Sequence, residues 1–167
     1  MSASRSSFPL DFSLISFLVV DDQPFSRRLT RSMLLGFGSR EVYESANGVE
    51  AFELARSMMP NIIITDLVMP VFNGLRFLKM VKEPHSPCHT TPIIVLSGYL
   101  TKSTALTIRT SGADELLVKP VSPKALYEHI ARIVLGSDNP SPPLAFLQNR
   151  KRRAAQRRKK AGDVAYV

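Results

Sequence analysis

The stretch NIIITDLVMPVFNG, residues 61–74, carries the reading from which the fold follows. Its first half, NIIIT, is a continuous apolar, β-branched run of strand length, the pattern of a strand covered on both faces. Strands of that kind belong to parallel sheets with helices on either side. An acid, Asp66, stands directly at its carboxyl end, and Gly74 falls in the connection that follows.

Outward from this strand, short β-branched runs alternate with amphipathic stretches of helical length over residues 15–135. Strands are predicted at residues 15–20 (ISFLVV), 40–45 (REVYES), 61–65, 92–96 (PIIVL) and 114–118 (DELLV). Helices are predicted at 24–35, 49–58, 75–81, 101–110 and 123–135, each with an apolar stripe near period 3.6. Pro24 suits a first helical position, and Asn47 and Ser122 suit N-caps, the latter followed by Pro123. Gly36, Gly48, Gly74, Gly98 and Gly112 are placed in connections. The fold class is α/β: a doubly wound (βα)5 parallel sheet.

Composition sets the boundaries. With 167 residues, 44% of them apolar and 22% charged, the chain has room for one soluble globular domain with extensions. Residues 1–14 read as an N-terminal extension, 15–135 as the domain, 136–149 as a Pro/Ser-rich linker around SDNPSPP, and 150–167 as a basic tail. An apolar patch, LAFL, at 144–147 precedes that tail. The run at 8–20 is broken by Asp11 and ends in Asp21 and Asp22 without a cleavage site, so a buried strand in its second half is the better reading than a signal peptide. No apolar stretch approaches the roughly 20 residues of a membrane-spanning helix. The single cysteine, Cys88, excludes an internal disulfide framework and fits a reducing cytosol. The expected location is cytoplasmic.

The net charge of +8 is a local property. Eight Lys and Arg lie between Arg150 and Lys160, and without them 14 basic residues face 14 acidic ones. Any contact with nucleic acid or an anionic membrane is therefore expected from the tail. His85, Cys88 and His89 lie in KEPHSPCHTTP, the one long irregular loop, and their spacing matches no standard zinc set. Pro84 and Pro87, on either side of His85, favour an exposed loop there.

The acids carry more information. Ligand sites in doubly wound sheets form beyond the carboxyl ends of the strands, at the switch point in strand order. Asp21 and Asp22 follow the first strand and Asp66 the third, and in the order 2-1-3-4-5 those strands are neighbours. Three carboxylates so close need a counter-charge. A hard divalent cation such as Mg2+, or Mn2+, fits them, as it takes carboxylate and phosphate oxygens. Lys119 follows the fifth strand and Ser97 the fourth. A metal, a lysine and a hydroxyl together can stabilise a phosphoryl group in transfer. One carboxylate must then be the nucleophile, and Asp66, alone at its strand end, is the natural choice.

VVDDQP, TDLVMPVFNG, VLSGY and GADELLVKP, in this order and spacing, resemble the motifs of the response-regulator receiver family, with its CheY-like fold. The resemblance covers roughly residues 15–135. It implies that Asp66 is the phosphoacceptor and that Asp21, Asp22 and Asp66 hold the metal, joined by the backbone carbonyl of Val68. It also implies that Ser97 is the switch hydroxyl, that Lys119 binds the phosphoryl group, and that Met69, Pro70 and Gly74 form the turn after the acceptor strand. Leu116 departs from the pattern of many members of the family, which have Tyr or Phe three residues before the lysine; Tyr99 is a candidate substitute. Val68 and Tyr99, at positions that tune hydrolysis, point to a slowly hydrolysed phosphoryl-aspartate.

The function implied is that of a two-component response regulator, in which a sensor histidine kinase or phosphotransfer protein supplies the phosphoryl group. The output is a switched surface for a downstream protein target, with a homodimer left open. Such a protein is not an enzyme in the ordinary sense, since it catalyses only its own phosphorylation and slow dephosphorylation. The alternative is a phosphorylation-gated nucleic-acid-binding regulator acting through residues 150–160. A haloacid-dehalogenase-type phosphohydrolase would want an acid two residues after the nucleophile, where this chain has Val68.

Overall fold

The computed structural model describes residues 10–136; the linker beyond Gly136, the LAFL patch and the basic tail lie outside the described residues. A short 3-10 turn, Phe12–Leu14, leads into β1 (Ser16–Val20), α1 (Pro24–Gly36), β2 (Glu41–Ser45), α2 (Gly48–Met58) and β3 (Ile62–Asp66). The chain continues through α3 (Gly74–Lys82), β4 (Ile93–Ser97), α4 (Lys102–Thr110), β5 (Glu115–Val118) and α5 (Pro123–Leu135). The strands form one sheet in the order β2-β1-β3-β4-β5, with every pair parallel. That is the architecture and order read from the sequence.

Alternation along each strand sorts the core into two halves. Phe17 and Val19 of β1, Ile62 and Ile64 of β3, and Ile94 and Leu96 of β4 face one way, packed with Leu34 of α1 and with Leu126, Ile130, Ile133 and Val134 of α5. Leu18, Val20, Ile63, Ile93 and Val95 face the other way, toward Ala51 and Ala55 of α2, Phe77, Leu78 and Val81 of α3, and Ile108 of α4. Leu116, at the position where many members of the family carry an aromatic, packs at the margin of this second half.

Helix starts follow the local chemistry. Asn47 Oδ1 accepts from Glu50 N at 2.9 Å and Ser122 Oγ from Ala125 N at 3.1 Å, as their N-cap placement requires. Asn73 and Thr101 do the same for α3 and α4. α1 has no side-chain cap and begins on Pro24.

Four expectations are corrected. Asp66 and Ser97 are the last residues of β3 and β4 rather than the first beyond them, and pair with Leu96 and Val118 in the sheet. Gly36 closes α1, and Gly48 and Gly74 open helices, instead of lying in connections; the latter two are squeezed, and a Cβ on Gly48 would stand 1.9 Å from the Phe72 ring. The loop holding His85, Cys88 and His89 is not wholly exposed. Cys88 is fully buried, and burial raises its thiol pKa. Among the described residues these three form no metal-competent cluster.

The fourth concerns the segment before β1. Asp11 caps the 3-10 turn through Ser13 N, and this turn drives Phe12 into the core at 2% exposure. Its ring lies 5.2 Å from that of Phe37 and 5.5 Å from that of Tyr127. Phe12→Ala is expected to cost about 3 kcal/mol, the usual loss for a buried phenylalanine, read as a lower urea midpoint with unchanged slope. A midpoint equal to wild type would make the segment dispensable. No helix among the described residues is long and apolar enough to cross a membrane.

Candidate acidic phosphoryl site

The parallel register brings four strand ends together. Val20 pairs with Thr65, so Asp21 and Asp66 emerge side by side, and Ser97 pairs with Val118, so Lys119 emerges beside Ser97. Backbone bonds carry the alignment past the strand ends: Asp21 N donates to Ser45 O at 3.1 Å, and Lys119 N to Ser97 O at 2.8 Å.

One oxygen from each of Asp21, Asp22 and Asp66 lies within 4.8 Å of the others. Asp21 is 2% exposed and Asp66 7%, while Asp22 reaches partly into solvent. The ammonium of Lys119 lies between the two buried carboxylates, 3.0 Å from Asp21 Oδ2 and 3.4 Å from Asp66 Oδ1. One positive charge thus faces three negative ones. The donor set is all oxygen, clustered and short of positive charge, so the residues present fit a hard divalent cation.

Asp66 shows the strain of that imbalance. Burial raises its pKa above the ordinary carboxylate value; Lys119 pulls it down, and the charge on Asp21 pushes it up again. The Val68 N–H bonds to the Asp66 carboxylate and favours the charged form, while the Val68 side chain lies exposed.

The sign of the effect on stability follows. A carboxyl with a raised native pKa favours the fold below its unfolded pKa, and that contribution is lost as pH rises through the native value. With divalent cations chelated, Asp66→Asn is expected to melt above wild type at about pH 7, the gap closing as pH falls below about 4. Thermal melts across that range check it, and a gap independent of pH counts against a destabilised carboxylate.

Ser97 is buried at 1% exposure, but its hydroxyl does not reach the acids; it donates to Tyr99 O at 2.7 Å. The Tyr99 ring points outward, 77% exposed. After Asp66 the chain turns tightly, with Phe72 N donating to Pro70 O at 2.7 Å across Val71, whose φ is +65°. Gly74 N then donates back to Leu67 O at 2.9 Å.

Three groups absent from the sequence reading join the site. Gln23 N donates to Asp21 Oδ1 at 2.9 Å, Ser26 Oγ donates to Asp21 Oδ2 at 2.5 Å, and Arg27 Nη1 donates to Asp21 O at 2.8 Å. All come from the turn into α1 and its first residues. Spacing alone gives no signal for them, because their approach depends on how α1 leaves the sheet.

A doubly wound sheet with an acid cluster and a half-buried lysine at its carboxyl edge defines a class of switch-point α/β proteins. Residues 17–131 match the response regulator receiver domain family. The chemotaxis protein CheY1 of Helicobacter pylori is 34% identical over 126 residues, covering 75% of this chain and 100% of that protein. The transcriptional regulatory protein SrrA of Staphylococcus aureus is 36% identical over 117 residues, covering 70% of this chain and 46% of that protein. Among known structures, chemotaxis protein CheY4 of Vibrio cholerae is similar with a TM-score of 0.66 and 32% identity, covering 71% of this chain and 97% of that one. The chain belongs to the response regulator receiver family, the signalling module of two-component systems.

Proposed function

We propose that this chain is a phosphorylation switch in which Asp66 accepts a phosphoryl group from a phosphohistidine on a sensor kinase or phosphotransfer protein. A carboxylate oxygen of Asp66 attacks phosphorus, and the bond from phosphorus to the donor's imidazole nitrogen breaks, its electron pair staying on that nitrogen. Lys119 is placed to bond the transferring oxygens. Ser97 completes their coordination once its hydroxyl lets go of Tyr99 O, and that exchange alters the surface around Tyr99 which a downstream protein would read. Asp21, Asp22, Asp66 and the Val68 carbonyl are the groups to hold Mg2+, which when bound spreads the charge of the phosphoryl oxygens. The site acts in the cytoplasm.

The observation that carries this reading is the Lys119 ammonium held between Asp21 and Asp66, 3.4 Å from the proposed acceptor oxygen. A phosphoryl group on Asp66 would meet a positive charge already in place. The test is intact mass after incubation with acetyl phosphate and Mg2+. A gain of one phosphoryl group, about 80 Da, lost when the cation is chelated beforehand, is expected. No gain, together with no binding of beryllofluoride, which mimics the phosphoryl group on an acceptor carboxylate and does not hydrolyse away, would make the chain a phosphorylation-independent binding module.

A further inference from the structure

We infer that Ser26 is a positioning residue of this site, fixing the Lys119 ammonium against Asp21; the inference rests on Asp66 being the phosphoacceptor. The serine lies in the first turn of α1, outside every motif that carries the family resemblance except for its closeness to VVDDQP. Its single proton goes to Asp21 Oδ2 at 2.5 Å, so its lone pairs are free to face the lysine. Lys119 Nζ donates to Ser26 Oγ at 3.2 Å and to the same Asp21 oxygen at 3.0 Å. Asp21, Ser26 and Lys119 close a triangle.

A lysine brings three donors on a flexible four-carbon stem, and holding it in one place costs side-chain entropy. Here the three donors meet three acceptors: Asp21 Oδ2 and Ser26 Oγ by hydrogen bonds, and Asp66 Oδ1 at 3.4 Å. Ser26 is the neutral one of the three. It therefore fixes the direction of the ammonium without adding to the negative charge that a cation or a phosphoryl group would meet.

The anchor itself is rigid. α1 lacks a side-chain cap, yet its entry is tied to the end of β1 by Gln23 N on Asp21 Oδ1, at 2.9 Å, and by Arg27 on Asp21 O. The helix thus carries Ser26 to one side of the lysine, and the end of β5 carries the lysine to meet it. Ser97 plays no part in this contact, since its hydroxyl is bonded to Tyr99 O.

Two effects of losing the hydroxyl separate in a measurement. Ser26→Ala removes a donor from Asp21, which leaves that carboxylate a better partner for a cation, and removes an acceptor from Lys119, which frees the ammonium to wander. Phosphorylation by acetyl phosphate is followed by intact mass across a Mg2+ titration, with thermal midpoints recorded for each variant. In Ser26→Ala the maximal rate is expected to fall about tenfold, while the half-saturating Mg2+ concentration stays level or drops up to about threefold. Ser26→Thr, which keeps the hydroxyl, is expected to restore both values. Ser26→Cys, of similar size but with a weak donor and acceptor, is expected to follow Ala and serves if Ala proves unstable.

A maximal rate in both Ala and Cys variants within about twofold of wild type overturns the positioning role. So does a Thr variant as slow as Ala, or a rate loss that follows a lowered thermal midpoint in every variant. If wild type itself takes up no phosphoryl group, the reading of Asp66 falls first and takes the inference with it; a phosphorylated wild type with an indifferent Ser26 leaves that reading standing.

Discussion

Asp66→Asn is expected to take up no phosphoryl group under conditions in which wild type gains about 80 Da, a loss of at least about a thousandfold in rate. The substitution is close to isosteric, so the fold and the turn behind it remain. What it removes is the negative oxygen, and a neutral amide oxygen is a poor nucleophile toward phosphorus. It also removes a charge that burial, first, and the neighbouring Asp21 both disfavour, which is why the same variant is expected to be the more stable one at neutral pH. A protein gaining stability while losing its chemistry is the signature of a carboxylate held at a site for its reactivity. Survival of the adduct in this variant would move the acceptor to Asp21 or Asp22 and overturn the assignment.

Gly74→Ala is expected to be the most damaging single methyl group that can be added near the site. The new Cβ would stand 2.0 Å from the Asp66 carbonyl oxygen and 2.9 Å from Leu67 Cα, both backbone atoms with no rotamer to yield. Either α3 backs away, breaking the bond from Gly74 N to Leu67 O, or the end of β3 shifts. A stability loss of about 3 kcal/mol or more follows from such overpacking, and phosphoryl uptake should fall with it because the displaced residue is Asp66. Gly36→Ala and Gly98→Ala are the controls: nothing lies within 4 Å of either Cβ, and each should stay within about 1 kcal/mol of wild type. Urea titrations of the three variants decide it; equal midpoints for Gly74→Ala and its controls would mean that the close approach is illusory.

The elements legible in the sequence were those whose cause is local. Runs such as IIIT and IIVL specify strands by composition, and their bounds shifted by only one residue because Asp66 and Ser97 continue the ladder. Caps at Asn47 and Ser122 were legible because the side chain bonds its own next turn. The convergence of Asp21, Asp22, Asp66 and Lys119 was legible through strand order, which fixes which strand ends are neighbours.

What escaped depends on contacts between distant segments. Ser26 enters the site through a lysine 93 residues away, and nothing in its own neighbourhood marks it. Phe12 read as part of an extension, whereas Asp11 beside it caps the turn that aims the ring inward. Cys88 lies in a loop with polar, proline-rich sequence, yet the chain folds it under the sheet face that α3 and α4 share. Ser97 was placed one residue beyond its strand instead of on its last rung, and its bond to Tyr99 O rather than to the acids is a choice of rotamer that sequence does not encode.

The two halves of the core have a consequence for the order in which the chain can be made and closed. The half containing Leu18 and Ile63 gathers most of its partners from α2 and α3, which follow soon after β1. The half containing Phe17 and Val19 is covered largely by Leu126, Ile130, Ile133 and Val134 of the final helix. A growing chain therefore carries one apolar sheet face, and three acids without their lysine, until almost the whole domain has left the ribosome. Fragments ending before α5 should be sticky and inert, and the finished domain should close in a single late event.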